Sequence, residues 1–178
     1  TLFAQWNSTI TYNANGATGT APTAVVTKGS ASETFVLNNG AALTKTGLNF
    51  VSWNTAADGS GETYAGGASY TSAGNATLYA IFKPTISYNA NSATGGTVPA
   101  SQVKGHGTSR VLQTNSGNLV RTGYTFAGWH TTAAGTGGTD YTAGGTFTMP
   151  GNNITMFAKW TVIPITVTYV WEQQAELR

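Results

Sequence analysis

This sequence predicts a mainly β protein, α+β at most, arranged as a tandem of two small modules with little helix. Three observations carry the prediction. The chain repeats itself: Ile10-Thr-Tyr-Asn-Ala-Asn15 returns as Ile86-Ser-Tyr-Asn-Ala-Asn91, and Thr46-Gly-Leu-Asn-Phe-Val-Ser-Trp53 returns as Thr122-Gly-Tyr-Thr-Phe-Ala-Gly-Trp129, both 76 residues on. Within each copy, apolar residues recur with a period of two, which is the period of a strand and not of a helix. Turn formers such as Asn15-Gly16, Asn39-Gly40, Asp58-Gly59 and Pro150-Gly151 punctuate the strands. The offset grows to 77 between Tyr64 and Tyr141 and to 78 between Leu78 and Met156. Two single-residue insertions account for this, both among Gly, Asn and Thr, where surface loops tolerate them.

Each element follows in order. Leu2-Phe-Ala-Gln-Trp6 matches Leu78-Tyr-Ala-Ile-Phe82 and Met156-Phe-Ala-Lys-Trp160, so residues 1–7 read as the end of a preceding repeat. Module 1 then spans 8–83 and module 2 spans 84–161. The opening strand of module 1 sets Ile10 and Tyr12 on one side, as Ile86 and Tyr88 are set in module 2. In Leu48 to Trp53, Leu48 and Phe50 share one face and Val51 and Trp53 the other, and Tyr124 to Trp129 repeats the arrangement. A strand apolar on both sides is expected at a sheet centre or under a cover. The closing strands are aromatic-rich, as β propensity favours.

Helix comes nearest over Ser32 to Lys45 and Ser109 to Arg121, but Asn38-Asn39-Gly40 and Asn115-Ser116-Gly117 interrupt both. That leaves room for one turn or a short helix per module. Residues 162–178, with Ile165-Thr-Val-Thr-Tyr-Val170, read as the start of a following segment or a disordered tail. Only Lys83 and Pro84 separate Phe82 from Thr85, and two residues, one of them proline, make a poor tether. The expected cores are Ile10, Tyr12, Phe50, Trp53, Tyr64 and Leu78 in module 1, with Ile86, Tyr88, Phe126, Trp129, Tyr141 and Met156 in module 2.

Composition narrows the function. Charged residues are 8% of the chain, against roughly 25% in ordinary globular domains. The eight Lys and Arg are scattered with no two adjacent, so no basic stripe exists for phosphates and no nucleic-acid partner is expected. The absence of cysteine removes disulfides, thiol catalysis and cysteinyl metal sites. The longest apolar stretch, Val162 to Trp171, is too short to span a bilayer and contains Pro164, so no membrane insertion by this fragment is expected. With no starting Met and no signal sequence, the chain reads as a cut from a longer protein whose targeting information lies elsewhere.

Four blocks carry a family resemblance: Thr122 to Trp129, the continuation Trp129-His-Thr-Thr-Ala133, Tyr141-Thr-Ala-Gly-Gly145 and Met156-Phe-Ala-Lys-Trp160. In this order they resemble the Listeria–Bacteroides repeat, the family that includes the B repeats of listerial internalins. The resemblance covers both modules. It implies a compact, ubiquitin-like β-grasp module of secreted or wall-attached bacterial proteins, with its last strand beside its first. Such modules serve as a stalk or accessory adhesion element, and the family brings no catalytic residues. Module 1 departs from the pattern, with Leu48, Asn49, Val51 and Ser52 where module 2 has Tyr124, Thr125, Ala127 and Gly128. These changes preserve the apolar alternation.

Repetition also tests candidate sites. Asp58-Gly-Ser-Gly-Glu62 has the oxygen donors of a calcium loop, but its counterpart Gly135-Thr-Gly-Gly-Thr139 has no carboxylate, and a hairpin turn accounts for it better. His106 and His130 align with Ser30 and Asn54, and without Cys or a second His at ligand spacing they do not make a metal site. Ser, His and Asp are all present, yet no Gly-x-Ser-x-Gly elbow occurs. Trp6, Trp53, Trp129, Trp160 and Trp171 offer either core anchors or sugar-stacking platforms, and burial is the favoured role in modules this small. The sequons at Asn7, Asn75 and Asn153 read as polar turns before strands. Lys45, Lys83 and Lys159 are candidates for Lys–Asn cross-links, but none is a Lys in both copies.

No catalytic, metal or cofactor site is expected, and the chain is not expected to be an enzyme. The function expected is a stalk or spacer of an extracellular bacterial surface protein or adhesin, whose partners are neighbouring repeats in the same chain. The alternative is direct adhesion to host glycan or protein through exposed aromatics and Thr/Asn-rich loops.

Overall fold

A computed structural model describes residues 7–28, 33–71 and 74–169. Leu2 to Trp6, read above as a closing strand, and Trp171 lie outside the described residues. Module 1 comprises β1 (Asn7–Asn13), β2 (Val25–Lys28), β3 (Thr34–Val36), β4 (Asn49–Asn54), β5 (Thr63–Tyr64), β6 (Ser69–Thr71) and β7 (Ala76–Lys83). Module 2 repeats the series as β8 (Thr85–Asn89), β9 (Gln102–Val103), β10 (Ser109–Val111), β11 (Tyr124–His130), β12 (Asp140–Tyr141), β13 (Thr146–Thr148) and β14 (Ile154–Val162). The last strand runs one residue past the boundary expected at 161. The fold is mainly β, in two like modules.

Each module is a five-stranded sheet and a two-stranded one. The large sheets run β2-β1-β7-β4-β5 and, in the same spatial order, β9-β8-β14-β11-β12. At the centre of each, the first and last strands of the module pair in parallel: Ile10 opposite Ala76 through Asn13 opposite Tyr79, and Ile86 opposite Ile154 through Asn89 opposite Phe157. This is the adjacency that the family resemblance implied. The remaining pairings in the large sheets are antiparallel. The small sheets, β3-β6 and β10-β13, are antiparallel. Two layers closing on one core are the ordinary solution for sheets with one apolar face.

Alternation in β1 buries Ser8, Ile10 and Tyr12 and exposes Asn7, Thr11 and Asn13. The core of module 1 gathers Ile10, Tyr12, Leu37, Leu43, Trp53, Tyr70, Leu78 and Ala80, and Phe50, Tyr64 and Phe82 pack against it from partly buried positions. Module 2 has its own cluster around Ile86, Tyr88, Leu112, Leu119, Trp129, Phe147, Met149 and Met156, with Phe126, Tyr141 and Trp160 against it. Trp53 and Trp129 are both 0% exposed. Each packs on a tyrosine of the first strand, with ring centroids 4.7 Å apart in both modules.

The expected ceiling of one turn or short helix per module holds: among the described residues, the segments with the best helical register form no helix. Thr34–Val36 and Ser109–Val111 are strands paired with β6 and β13, and the residues after them are loops that bury Leu37, Leu43, Leu112 and Leu119. Ser32, where the first of these segments begins, lies outside the described residues. Gly40 at φ 74° and Asn118 at φ 51° break any helical path, because that region is left-handed.

Two expectations need correction. First, Phe50 and Trp53 do not lie on opposite faces. A bulge between Phe50 and Ser52, repeated between Phe126 and Gly128, inserts one residue into the ladder and reverses the alternation. Both rings therefore face the core, with centroids 5.3 Å apart in module 1 and 5.2 Å in module 2. Lastly, the offset does not simply rise from 76 to 78. Val26 pairs as Val103 does, 77 residues on, whereas Phe35 pairs as Arg110 does, 75 residues on.

Candidate functional site

The residues flagged by sequence serve local structure. Asp58 Oδ1 accepts hydrogen bonds from the Ser60 hydroxyl at 2.6 Å and the Ser60 amide at 2.9 Å, which hold its carboxyl below the usual range. Glu62 Oε2 accepts from the Tyr64 hydroxyl at 2.6 Å, and this bond pushes the phenol up to about 12. Both acidic side chains thus belong to the β4–β5 hairpin. Among the described residues, no three His, Cys, Asp or Glu come together as metal ligands.

His130 is 3% exposed. Its Nδ1 lies 2.9 Å from the Thr132 amide nitrogen, the position filled in module 1 by Asn54 Oδ1, which accepts from the Ala56 amide at 2.8 Å. The two side chains hold the same turn. Lys159 Nζ donates to Asp140 Oδ2, and this bond is the main cause of the depressed Asp140 pKa. Lys45 Nζ donates to the backbone carbonyl of Asn15 at 3.1 Å. The buried Trp53 and Trp129 have no face for a sugar, and each indole N–H donates to a backbone carbonyl, of Asn38 and of Gln113. Trp160 likewise donates to the Asn91 carbonyl at 2.9 Å. Trp6 and Trp171 lie outside the described residues.

A cyclic polar arrangement sits where module 1 meets module 2. One residue, Pro84, separates β7 from β8. Across it, Asn49 Nδ2 donates to Thr85 Oγ1 at 3.0 Å, and Asn153 Nδ2 donates to Asn49 Oδ1 at 3.2 Å. The Asn153 backbone amide donates to the Gly47 carbonyl at 2.6 Å. Within module 2, Asn153 Oδ1 accepts from the Thr85 amide at 2.9 Å, which closes the ring. Both amide side chains thereby donate and accept at once. Gly47 packs against the Asn152 side chain, while its counterpart Gly123 has open space where a Cβ would stand. Thr85 is only 5% exposed.

Beside this clasp lies a cleft of about 460 Å³, lined by Lys45, Asp58 and Ile81 of module 1 and by Gly105, His106 and Gly151 of module 2. The corresponding cleft in module 2, between Asn91, Arg121 and Lys159, measures about 200 Å³. Both have the same floor. Asn15 and Asn91, in left-handed conformation at φ 52° and 46°, donate from Nδ2 to Ala57 and Ala80 and to Ala133 and Ala158 respectively. The repeated Tyr-Asn-Ala-Asn motif marked these asparagines in the sequence. Asn49 and Asn153 carried no comparable mark as partners.

Among the described residues, no helix is long and apolar enough to cross a membrane. A protein of Evansella cellulosilytica described as a Gly-rich membrane protein is 34% identical over 135 residues. The match covers 71% of this chain and 15% of that protein, so the chain spans a small part of the relative's length. The family model of the Listeria–Bacteroides repeat domain matches residues 9–81 and again 85–159. Two matches in register with two folded modules settle the assignment: this chain belongs to the Listeria–Bacteroides repeat family.

Proposed function

We propose that the two repeats form a stiff spacer in the extracellular part of a bacterial surface protein, projecting a binding domain away from the envelope. The observation that carries this is the route of the chain. Because the first and last strands of a module run parallel, the chain enters at one end of the sheet and leaves at the other. Each module therefore adds roughly 30 Å along the strand direction, at about 3.3 Å per residue. The modules are joined through one proline and clasped by three hydrogen bonds. The membrane protein among its relatives and the repeat family itself support a surface location. The role is mechanical and positional and involves no catalysis. The alternative, adhesion through exposed aromatics and Thr/Asn-rich loops, draws no support from Trp53 and Trp129, which are buried.

Spin labels on Thr11 and Thr125, one in each module, test the reading by pulsed dipolar spectroscopy. A single narrow distance distribution is expected. A broad distribution would mean a flexible string of beads and would end the spacer reading.

A further inference from the structure

We propose that the leading face of module 1, built on Thr9 and Asn75, is a second receiving half of the clasp, and that its occupant is the trailing face of another copy of this repeat. The inference rests on the spacer reading and adds to it the partner and the atoms that set the register. Thr9 and Asn75 reproduce the half of the clasp that module 2 contributes. The Thr9 amide donates to Asn75 Oδ1 at 2.8 Å, as the Thr85 amide donates to Asn153 Oδ1 at 2.9 Å. The same threonine and the same asparagine thus meet at the same step between the first and last strands of the module.

What differs is cover. Thr85, beneath module 1, is buried, whereas Thr9 is half-buried, and Asn153 and Asn75 are both exposed. A shallow hollow of about 220 Å³ lies over Thr9, Thr11 and Asn75. An occupant must bring one amide side chain that donates to Thr9 Oγ1 and accepts from Asn75 Nδ2 together, which is what Asn49 does to Thr85 and Asn153. It must also bring a bare carbonyl such as that of Gly47 for the Asn75 amide. The trailing face of module 1 supplies both. Module 2 has Thr125 at the place of Asn49, and its single hydroxyl donates to the Thr161 carbonyl, so its trailing face offers a poorer match. The sequon at Asn75 is accordingly a docking element. A glycan there would obstruct the neighbour.

The test is a three-unit chain in which residues 8–84 are placed directly before Thr9, with spin-label pairs spanning either the new junction or the original one. Both junctions should give narrow distributions centred on the same distance. Asn75→Asp keeps the oxygen that accepts from the Thr9 amide but removes the Nδ2 donor. It should broaden the new junction and leave the original one narrow, and Asn153→Asp should do the reverse. Thermal melts of the variants confirm that each module stays folded. A broad new junction beside a narrow original one, or a new junction indifferent to Asn75→Asp, would overturn the proposal while leaving the spacer reading intact. If both junctions are broad, the spacer reading falls with it.

Discussion

Asp140 and Tyr64 show how single side chains in these modules are tuned chiefly by one neighbour each, Lys159 and Glu62. The Lys159 ammonium holds the Asp140 carboxyl below its ordinary value. A depressed acid contributes stability that is present above its unfolded pKa and is lost as pH falls through its folded pKa. Lys159→Met should return the Asp140 titration, followed by carboxyl-carbon NMR, toward the usual aspartate value. Tyr64 behaves in the opposite sense. The bond to Glu62 favours the neutral phenol and lifts it to about 12, so this contribution persists through neutral pH and disappears as pH rises through that value. Glu62→Gln should bring the absorbance titration of Tyr64 down toward an ordinary tyrosine. The Lys159–Asp140 partnership was not legible in the sequence, because the two lie 19 residues apart and have no counterpart pair in module 1. Asn15 and Asn91 were legible as a motif but not in their role. The side chains reach across 65 and 67 residues to β7 and β14, which no local pattern reveals.

Among the elements, the bulged strands β4 and β11 are the most instructive. Period-two reading found them and found their aromatics, but it set Phe50 and Trp53 back to back, because one extra residue leaves no compositional trace. The two bulges also differ in backbone. Gly128 sits at φ 120°, and a Cβ on it would lie 2.5 Å from the Tyr141 carbonyl oxygen. Module 1 carries Ser52 at the matching place without a positive φ. Gly128→Ser, which copies module 1 into module 2, should therefore destabilise module 2 by about 1–3 kcal/mol, read from its denaturation midpoint. The small strands β3 and β10 escaped notice for a different reason. Phe35 lies on Tyr70 in the first, but Arg110 replaces it in the second, so the shared apolar pattern is broken where the strands are shortest.

At the scale of the whole molecule, the described residues form two cores and no shared one. Their separation was legible because Trp53 and Trp129 recur at a fixed distance, and an aromatic of that size fixes a small core wherever it falls. Trp129→Ala removes a buried ring and should cost about 3–5 kcal/mol. Module 2 should then melt early while module 1 keeps its own transition, which calorimetry would show as two separated peaks. Loss of both modules together would mean that the junction carries far more than hydrogen bonds of about 1 kcal/mol each. That junction was the least legible feature. Its partners Asn49 and Asn153 stand 104 residues apart, in turn-like surroundings where asparagine is commonplace.

The parallel pairing of β1 with β7, and of β8 with β14, has a mechanical corollary. Tension applied through the two termini of a module pulls these neighbours lengthwise past each other, so their hydrogen bonds are loaded in shear and must yield together. A hairpin pulled from its open end would instead peel one bond at a time. Pulled end to end, such units should resist extension more strongly than their thermal stability alone suggests.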